Sequence, residues 1–225
     1  MTLAPTTMYG GCNTRLQGAE RANIHGTWLN LAAGDGRYNN LLVDRCQSII
    51  AFDLDEKALH RLVERLRATH RGKIRSVVGD MTAPFPFPAG EFDGCLCTGV
   101  LHLFKEPVLR RIFEEIFRVL RPRSSFIMNF AVDIERKFPD GSSLLIDGEP
   151  HFTLEEGRRI LRDVFREADY ELIEGQVSDF PVNNFDCQYI FGCNVLSLLA
   201  EISPASGVGA SSITTHSSQA KARRL

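Results

Sequence analysis

Between Trp28 and Leu120 the sequence keeps switching between two hydrophobic periods, and this alternation restricts the fold more than any other feature. Short apolar runs (TWLNL, SIIAFD, KIRSVVGD, FDGCLCTG) are separated by stretches with helical spacing. In EKALHRLVERLRATH, Ala58, Leu59, Leu62, Val63 and Leu66 share one face; in EPVLRRIFEEIFRVL, Val108, Leu109, Ile112, Phe113, Ile116, Phe117 and Leu120 do. Both helices must pack that face on a sheet. The runs between them are rich in Val, Ile and Phe and nearly continuous in apolar character, as strands covered on both sides are. Strands alternating with helices predict an α/β fold: a Rossmann-like, doubly wound, mostly parallel sheet with helices on both faces.

The rhythm changes after the fifth strand, SSFIMNFAV. DIERKFPDGSSLLIDGEPH, with its Pro, Gly and charge, reads as a long loop, and loops of that length often carry function. The helix TLEEGRRILRDVFREA follows, with Thr153 as N-cap and Glu156 at capping-box spacing. YELIEGQV and FDCQYIFGCNVLSL complete a seven-stranded count; their brief Pro-Asn-Asn connection favours an antiparallel pair, so a late antiparallel strand is expected. Residues 1–25 lack sustained periodicity and read as a loose lead-in with at most one short helix, the core beginning at Trp28. Residues 26–200 form the single folded domain, and 201–225, rich in Ser, Ala, Gly and Thr, read as a disordered tail.

A formal charge of -2, from 26 basic and 28 acidic residues, gives no electrostatic case for a nucleic acid or a membrane surface as partner. No window approaches the roughly 20 apolar residues of a membrane span. The six cysteines are scattered, without a CxxC pair, which predicts a reducing, cytoplasmic setting. Cys95 and Cys97 share a strand face, but nothing completes a four-ligand set, so no metal is expected and they read as small buried hydrophobes.

Ligands of an open parallel sheet sit beyond the carboxyl ends of its strands. The first strand ends in NLAAGDGRYNN, the second in Asp53, the third in Asp80 and the fourth in CTGVLH. Asp53 lies 19 residues after Gly34, near the offset at which an acid meets ribose hydroxyls. A dinucleotide fingerprint would need Gly or Ala where this chain has Asn39, and Asp35 places like charge where a pyrophosphate would lie. A cationic sulfonium nucleoside meets neither objection. Asp53 as a helix cap and Asp80 as a turn residue are the structural alternatives.

With this series of strand ends the chain resembles the class I S-adenosylmethionine-dependent methyltransferases. LNLAAGDGRY is similar to their motif I, IIAFDLD to motif II, VVGDMTAPFPFPAGEFDGCLCTGVLHLF to the third and fourth motifs, and RVLRP to the segment before the fifth strand. The resemblance spans about residues 27–195 and implies S-adenosylmethionine as cofactor. It implies that Gly34 and Gly36 approach the methionine part, beside Asn30 and Ala32, and that Asp53 and Leu54 meet the ribose. Asp80 and Met81 would meet the adenine, and Thr98, Gly99 and Val100 would line the cofactor near its sulfur. Asn30 stands where the family has an acid, Ala32 where it has its first glycine, and Arg123-Ser124 where it has a Gly-Gly turn.

Methyl transfer from a sulfonium can be driven largely by in-line positioning, and a protonated acceptor also needs a base within reach. His102 is the candidate base, with His151 and Asp133 flanking the long loop and Tyr9 and Tyr38 as possible lining or lid. The expected reaction is therefore methyl transfer to a small-molecule acceptor. CTGV lacks the Asn/Asp-Pro-Pro-aromatic element of many nucleic-acid and protein methyltransferases. A nicotinamide-dependent oxidoreductase and a non-catalytic nucleoside-binding protein are the alternatives.

Overall fold

The computed structural model describes Leu16, residues 19–183 and residues 188–202. After a turn of 3-10 helix at Ala19–Arg21 come β1 (Thr27–Leu31), α1 (Asn39–Val43), β2 (Ser48–Asp53), α2 (Glu56–Arg65), α3 (Ala68–Arg71), β3 (Ile74–Val78) and β4 (Phe92–Cys97). A second 3-10 turn, Leu101–Leu103, leads to α4 (Glu106–Val119), β5 (Leu120–Lys137), α5 (Leu154–Val164), β6 (Asp169–Asn183) and β7 (Gln188–Glu201). The seven strands form one sheet in the order β3-β2-β1-β4-β5-β7-β6. β1 pairs in parallel with both β2 and β4, so the winding direction reverses between β1 and β4 and opens a crevice at their carboxyl ends. β7 is antiparallel to β5 and to β6, the late antiparallel strand expected from the sequence.

Alternate residues of the central strands feed two separate cores. Leu29, Leu31, Cys95, Cys97, Phe126, Met128 and Phe130 pack with α4 and α5 through Leu109, Ile112, Phe113, Ile116, Ile160 and Leu161. Trp28, Leu96 and Ile127 face the other way, against Leu42 and Val43 of α1, while α2 covers Ala51 with Leu59 and Leu62. The helices therefore lie on both faces of the sheet. Burial raises the Cys95 and Cys97 thiols above their usual range, as expected of small core residues. Thr153 caps α5 in a capping box, its hydroxyl accepting from the Glu156 amide at 3.2 Å while Glu156 accepts from the Thr153 amide at 2.8 Å.

Three features differ from the sequence reading. The core begins before Trp28: Leu16, Ala19, Ala22 and Ile24 are buried beside Trp28, and Arg45 donates to the Ala22 carbonyl at 2.6 Å. Apolar residues that pack from a turn carry no periodicity to read. The helix from Glu56 breaks at Leu66, whose ψ of 143° is extended, leaving α3 as a separate turn. Finally, β5 continues through residues 133–137, the first part of the expected loop, pairing with β7 across a register shift between Val132 and Glu135. Asp133 (φ 49°) in β5 and Asp179 (φ 52°) in β6 mark the irregularities. Bulges of this kind bend strands and increase twist, and beyond them β5, β6 and β7 carry a small core of Val182, Tyr189 and Phe191. Tyr9 and residues 203–225 of the expected tail lie outside the described residues.

Gly94 shows how closely the sheet and its covering layer meet. A Cβ there would stand 2.3 Å from the Trp28 indole, whereas one on Gly72 would meet nothing within 4 Å. Gly94→Ala is expected to lower stability by about 1–3 kcal/mol through overpacking, with Gly72→Ala near neutral. Denaturant midpoints at unchanged slope check this, and equal midpoints for the two variants would contradict it.

Candidate functional site

β1 runs out of side-chain alternation at Leu31, and the next residues turn sharply. Ala32 (φ 54°), Gly34 (φ 53°) and Gly36 (φ 81°) all adopt the left-handed region, which turns the chain sharply at the end of β1. Gly36 is also pressed by its neighbours: a Cβ would stand 2.6 Å from the Asn39 amide nitrogen and 2.7 Å from Leu62. Ala32 holds the same backbone class without a glycine's freedom, at a cost of roughly 1–2 kcal/mol. The turn is braced from below by a buried hydrogen bond in which the Asn30 side-chain amide donates to Asn39 at 2.7 Å. Asn39, foreign to a dinucleotide fingerprint, is thus the partner of Asn30, the residue standing where the family pattern has an acid.

At the end of β2, Asp53 accepts from the Gly34 amide at 2.8 Å with one oxygen and from the Asp55 amide at 2.8 Å with the other. The cap of α2 is Asp55 instead, which accepts from Lys57 and Ala58. Asp35 forms an ion pair with Arg65, so its charge is already compensated. At the end of β4, the Gly99 amide donates to Asn129 of β5 at 2.7 Å, which fixes the turn (φ 71°) leading toward His102.

These strand ends surround a cavity of about 310 Å³. Of the residues singled out in the sequence, Asn30, Ala32, Gly34, Asp53, Thr98, Gly99, Val100, His102 and Tyr38 line it, together with Asp35. Gly36, Leu54, Asp80 and Met81 do not. Gly36 packs against α2, Leu54 points to solvent at 71% exposure, and Met81 is buried in the core cluster that also holds Phe52, Phe85 and Phe87. Asp80 ends a turn, accepting from the Thr82 amide and hydroxyl at 2.8 Å each, and those bonds lower its pKa. His151 and Asp133 are also outside the lining. His151 is exposed, and Asp133 accepts from the Leu154 amide at the start of α5 and from Asn194 at 2.9 Å.

The lining also includes residues that the sequence reading missed. Asn129 and Ala131 of β5, Val177 of β6, and Phe191, Cys193 and Val195 of β7 form a wall on the side away from the glycine turn. Alternation in β7 could have shown that residues 191, 193 and 195 share a face; nothing in the sequence said that this face met the crevice.

His102 is 1% exposed. Burial, and secondarily the positive charge of Arg136, push its pKa down to about 3, so the imidazole is neutral at ordinary pH. It can accept or donate a hydrogen bond into the cavity, but its low basicity makes it a weak proton acceptor for an alcohol.

Residues 29–123 match the model of a family described as "Methyltransferase domain". No curated protein matches the sequence. Among solved structures, the YcgJ protein of Bacillus subtilis is similar at 15% identity and a TM-score of 0.56, over 84% of this chain and 96% of that one. An S-adenosylmethionine-dependent methyltransferase of Methanosarcina mazei is similar at 16% identity and 0.55, over 81% and 93%. DhpI, in a complex with S-adenosylhomocysteine, is similar at 16% identity and 0.56, over 84% and 82%.

The depressed pKa of His102 has a measurable sign. Between about pH 3 and pH 6.5 the unfolded chain binds a proton here that the folded chain does not, so stability rises with pH across that window and levels off above it. His102→Gln is expected to flatten the pH dependence of unfolding by up to ~1.4 kcal/mol per pH unit within the window. Identical slopes for variant and wild type would contradict a buried, neutral His102.

Proposed function

From the premise that residues 29–123 belong to the methyltransferase-domain family, we propose that the chain methylates a small-molecule acceptor, with S-adenosylmethionine as donor. One observation carries this reading: the cavity at the glycine turn and Asp53 continues without interruption into the wall of Ala131, Val177, Phe191 and Val195. A single space thus has a nucleoside end and a largely apolar acceptor end.

The residues fit the cofactor. The left-handed backbone at Ala32 and Gly34 leaves room at the end of β1, and the Asp53 carboxylate is a hydrogen-bond acceptor at the offset suited to ribose hydroxyls. When bound, the cofactor supplies an electrophilic methyl group on a cationic sulfur. The chain's own part is to hold donor and acceptor in line and keep water out, the apolar wall serving the second purpose. Thr98 and Gly99 line the cavity where β1 and β4 diverge, and Asn129 fixes the Gly99 amide between the two ends. Asn30, already bonded to Asn39, acts on the methionine part through the turn it braces. Asp80 and Met81 keep an adenine-side role, and Leu54 a ribose-side one, on the motif pattern alone.

The near-neutral charge balance favours a small acceptor over a nucleic acid. Among the described residues no helix is long and apolar enough to cross a membrane. Buried thiols at Cys46, Cys95 and Cys97 fit a reducing cytoplasm. The low basicity of His102 favours acceptors that present a lone pair without needing a strong base. It also supports a second reading, a binding protein without turnover, which release of S-adenosylhomocysteine in an assay against metabolite pools would exclude.

Isothermal titration of the full chain is expected to give saturable S-adenosylmethionine binding, with Asp53→Ala weakening it by at least about tenfold. Absence of binding by folded protein would refute the reading, and unchanged affinity in the variant would refute the ribose role of Asp53. A rise in melting temperature with NAD in place of S-adenosylmethionine would favour the oxidoreductase.

A further inference from the structure

Among the described residues Arg136 is the one buried Lys or Arg, only 7% exposed. It lies in the part of β5 that continues beyond the bulge, paired across strands with Phe191, its guanidinium 5.8 Å from the Phe191 ring centre. Phe191 lines the cavity, as does His102, whose pKa the Arg136 charge helps to lower. The cation thus sits behind Phe191 at the far end of the acceptor side, and both it and Glu149 lie outside the lining itself. Its counter-ion is Glu149, 2.8 Å away, a half-buried residue with a side chain only 10% exposed, on the segment 138–152 that leaves β5 and returns to α5. That segment is tied to β5 by the Leu144 amide, which donates to the Arg136 carbonyl at 2.8 Å, and it exposes Leu145 and Ile146 nearby.

The pairing is incomplete. Glu149 takes one terminal nitrogen of the guanidinium, and the buried Nε has no hydrogen-bond partner among the described residues. A guanidinium is a planar fork suited to grip a carboxylate with two nitrogens, and a buried donor left unsatisfied is costly. A buried ion pair is also weak evidence for stability, since an apolar pair of similar size often does as well. A second carboxylate engaging both Nε and a terminal nitrogen would remove the unsatisfied donor while keeping the charge compensated.

We propose that Arg136 anchors a carboxylate of the methyl acceptor, and that Glu149 holds this position until the acceptor arrives. The acceptor is then a small molecule with an apolar body, lying along Val177, Phe191 and Val195, and one carboxylate at its remote end. The exchange replaces one anion by another beside the same cation, and Glu149 moves toward solvent with its segment. The inference rests on the methyl-transfer reading for the identity of the cavity's other end.

The test uses the full chain saturated with S-adenosylhomocysteine, with phenylacetate and its neutral isostere phenylacetamide as probes and thermal shift as readout. Phenylacetate is expected to raise the melting temperature of the wild type where phenylacetamide does not. In Glu149→Gln, which leaves Arg136 without its anion, the same shift is expected at about tenfold lower phenylacetate. The double variant Arg136→Met with Glu149→Gln carries neither buried charge and is expected to fold, to bind S-adenosylhomocysteine and to show no preference for the carboxylate. Equal responses to the two probes in Glu149→Gln, or a preference that survives in the double variant, would overturn the proposal and leave the ion pair as a latch for the segment. Failure of the wild type to bind S-adenosylhomocysteine would instead count against the methyl-transfer reading.

Discussion

The hydrogen bond from the Gly34 amide to the Asp53 carboxylate joins the ends of β1 and β2, and the rest of the site takes its position from it. Past the last ladder bond, from the Ala33 amide to the Phe52 carbonyl, the loops of two parallel neighbours diverge unless something holds them. Here a side chain does so, while the Asn30–Asn39 bond ties the far side of the same turn to the first residue of α1. With the turn tied on both sides, the left-handed backbone at Ala32, Gly34 and Gly36 has its path set by these bonds. Asp53 spends hydrogen-bonding capacity on this bracing, yet a carboxylate has about four lone-pair sites and two amides leave acceptor capacity on the cavity side.

Positive φ is kept at two positions of the motif pattern where this chain has a residue other than glycine. Ala32 and Arg123 stand at positions where the resembling family has glycine, and both keep positive φ, 54° and 64°. A left-handed conformation at a residue with a Cβ costs roughly 1–2 kcal/mol, so the surroundings must impose it. For Arg123 the amide is committed to the Ile202 carbonyl at 2.7 Å, which locks the start of β5 against the end of β7. For Ala32, the amide of the next residue, Ala33, donates to the Phe52 carbonyl at 3.2 Å, carrying the β1–β2 ladder one step into the turn. The sequence departures therefore changed strain, and the chain path followed the sheet.

The readable parts of the sequence were those in which local pattern and global fold agree. The α2 and α4 faces, the Thr153 capping box and the apolar runs of β1, β2 and β4 each state their environment within a few residues. That Asp53 and Thr98 stand at the crevice was legible because the crevice of a doubly wound sheet has a known address. What escaped depended on distant partners. Leu16, Ala19 and Ala22 are core residues only because Trp28 and α1 come to meet them. Residues 133–137 looked like loop because the bulge after Val132 breaks the alternation and because Arg136 is a charge, buried only through Glu149 thirteen residues later. Asp80 stands after β3 as expected, and its bonds to Thr82 show that it also closes its own turn.

The electrostatics of the cavity follow from the same constraint. Fixing the turn puts Asp35 on the cavity wall beside Arg37 and Asp53, and at the opposite end the extended β5 puts Arg136 behind Phe191; Asp35 and Arg136 are paired with Arg65 and Glu149. Asp35 therefore repels a pyrophosphate less than an unpaired acid would, and the stronger argument against a dinucleotide is Asn39, which fills the helix-packing position and is committed to Asn30. Between these compensated ends, the middle of the cavity is neutral: His102 is held unprotonated, and Asn129 is bound to Gly99. A neutral centre suits a reaction in which a cationic donor becomes a neutral product, because no fixed countercharge opposes the loss of positive charge from the sulfur.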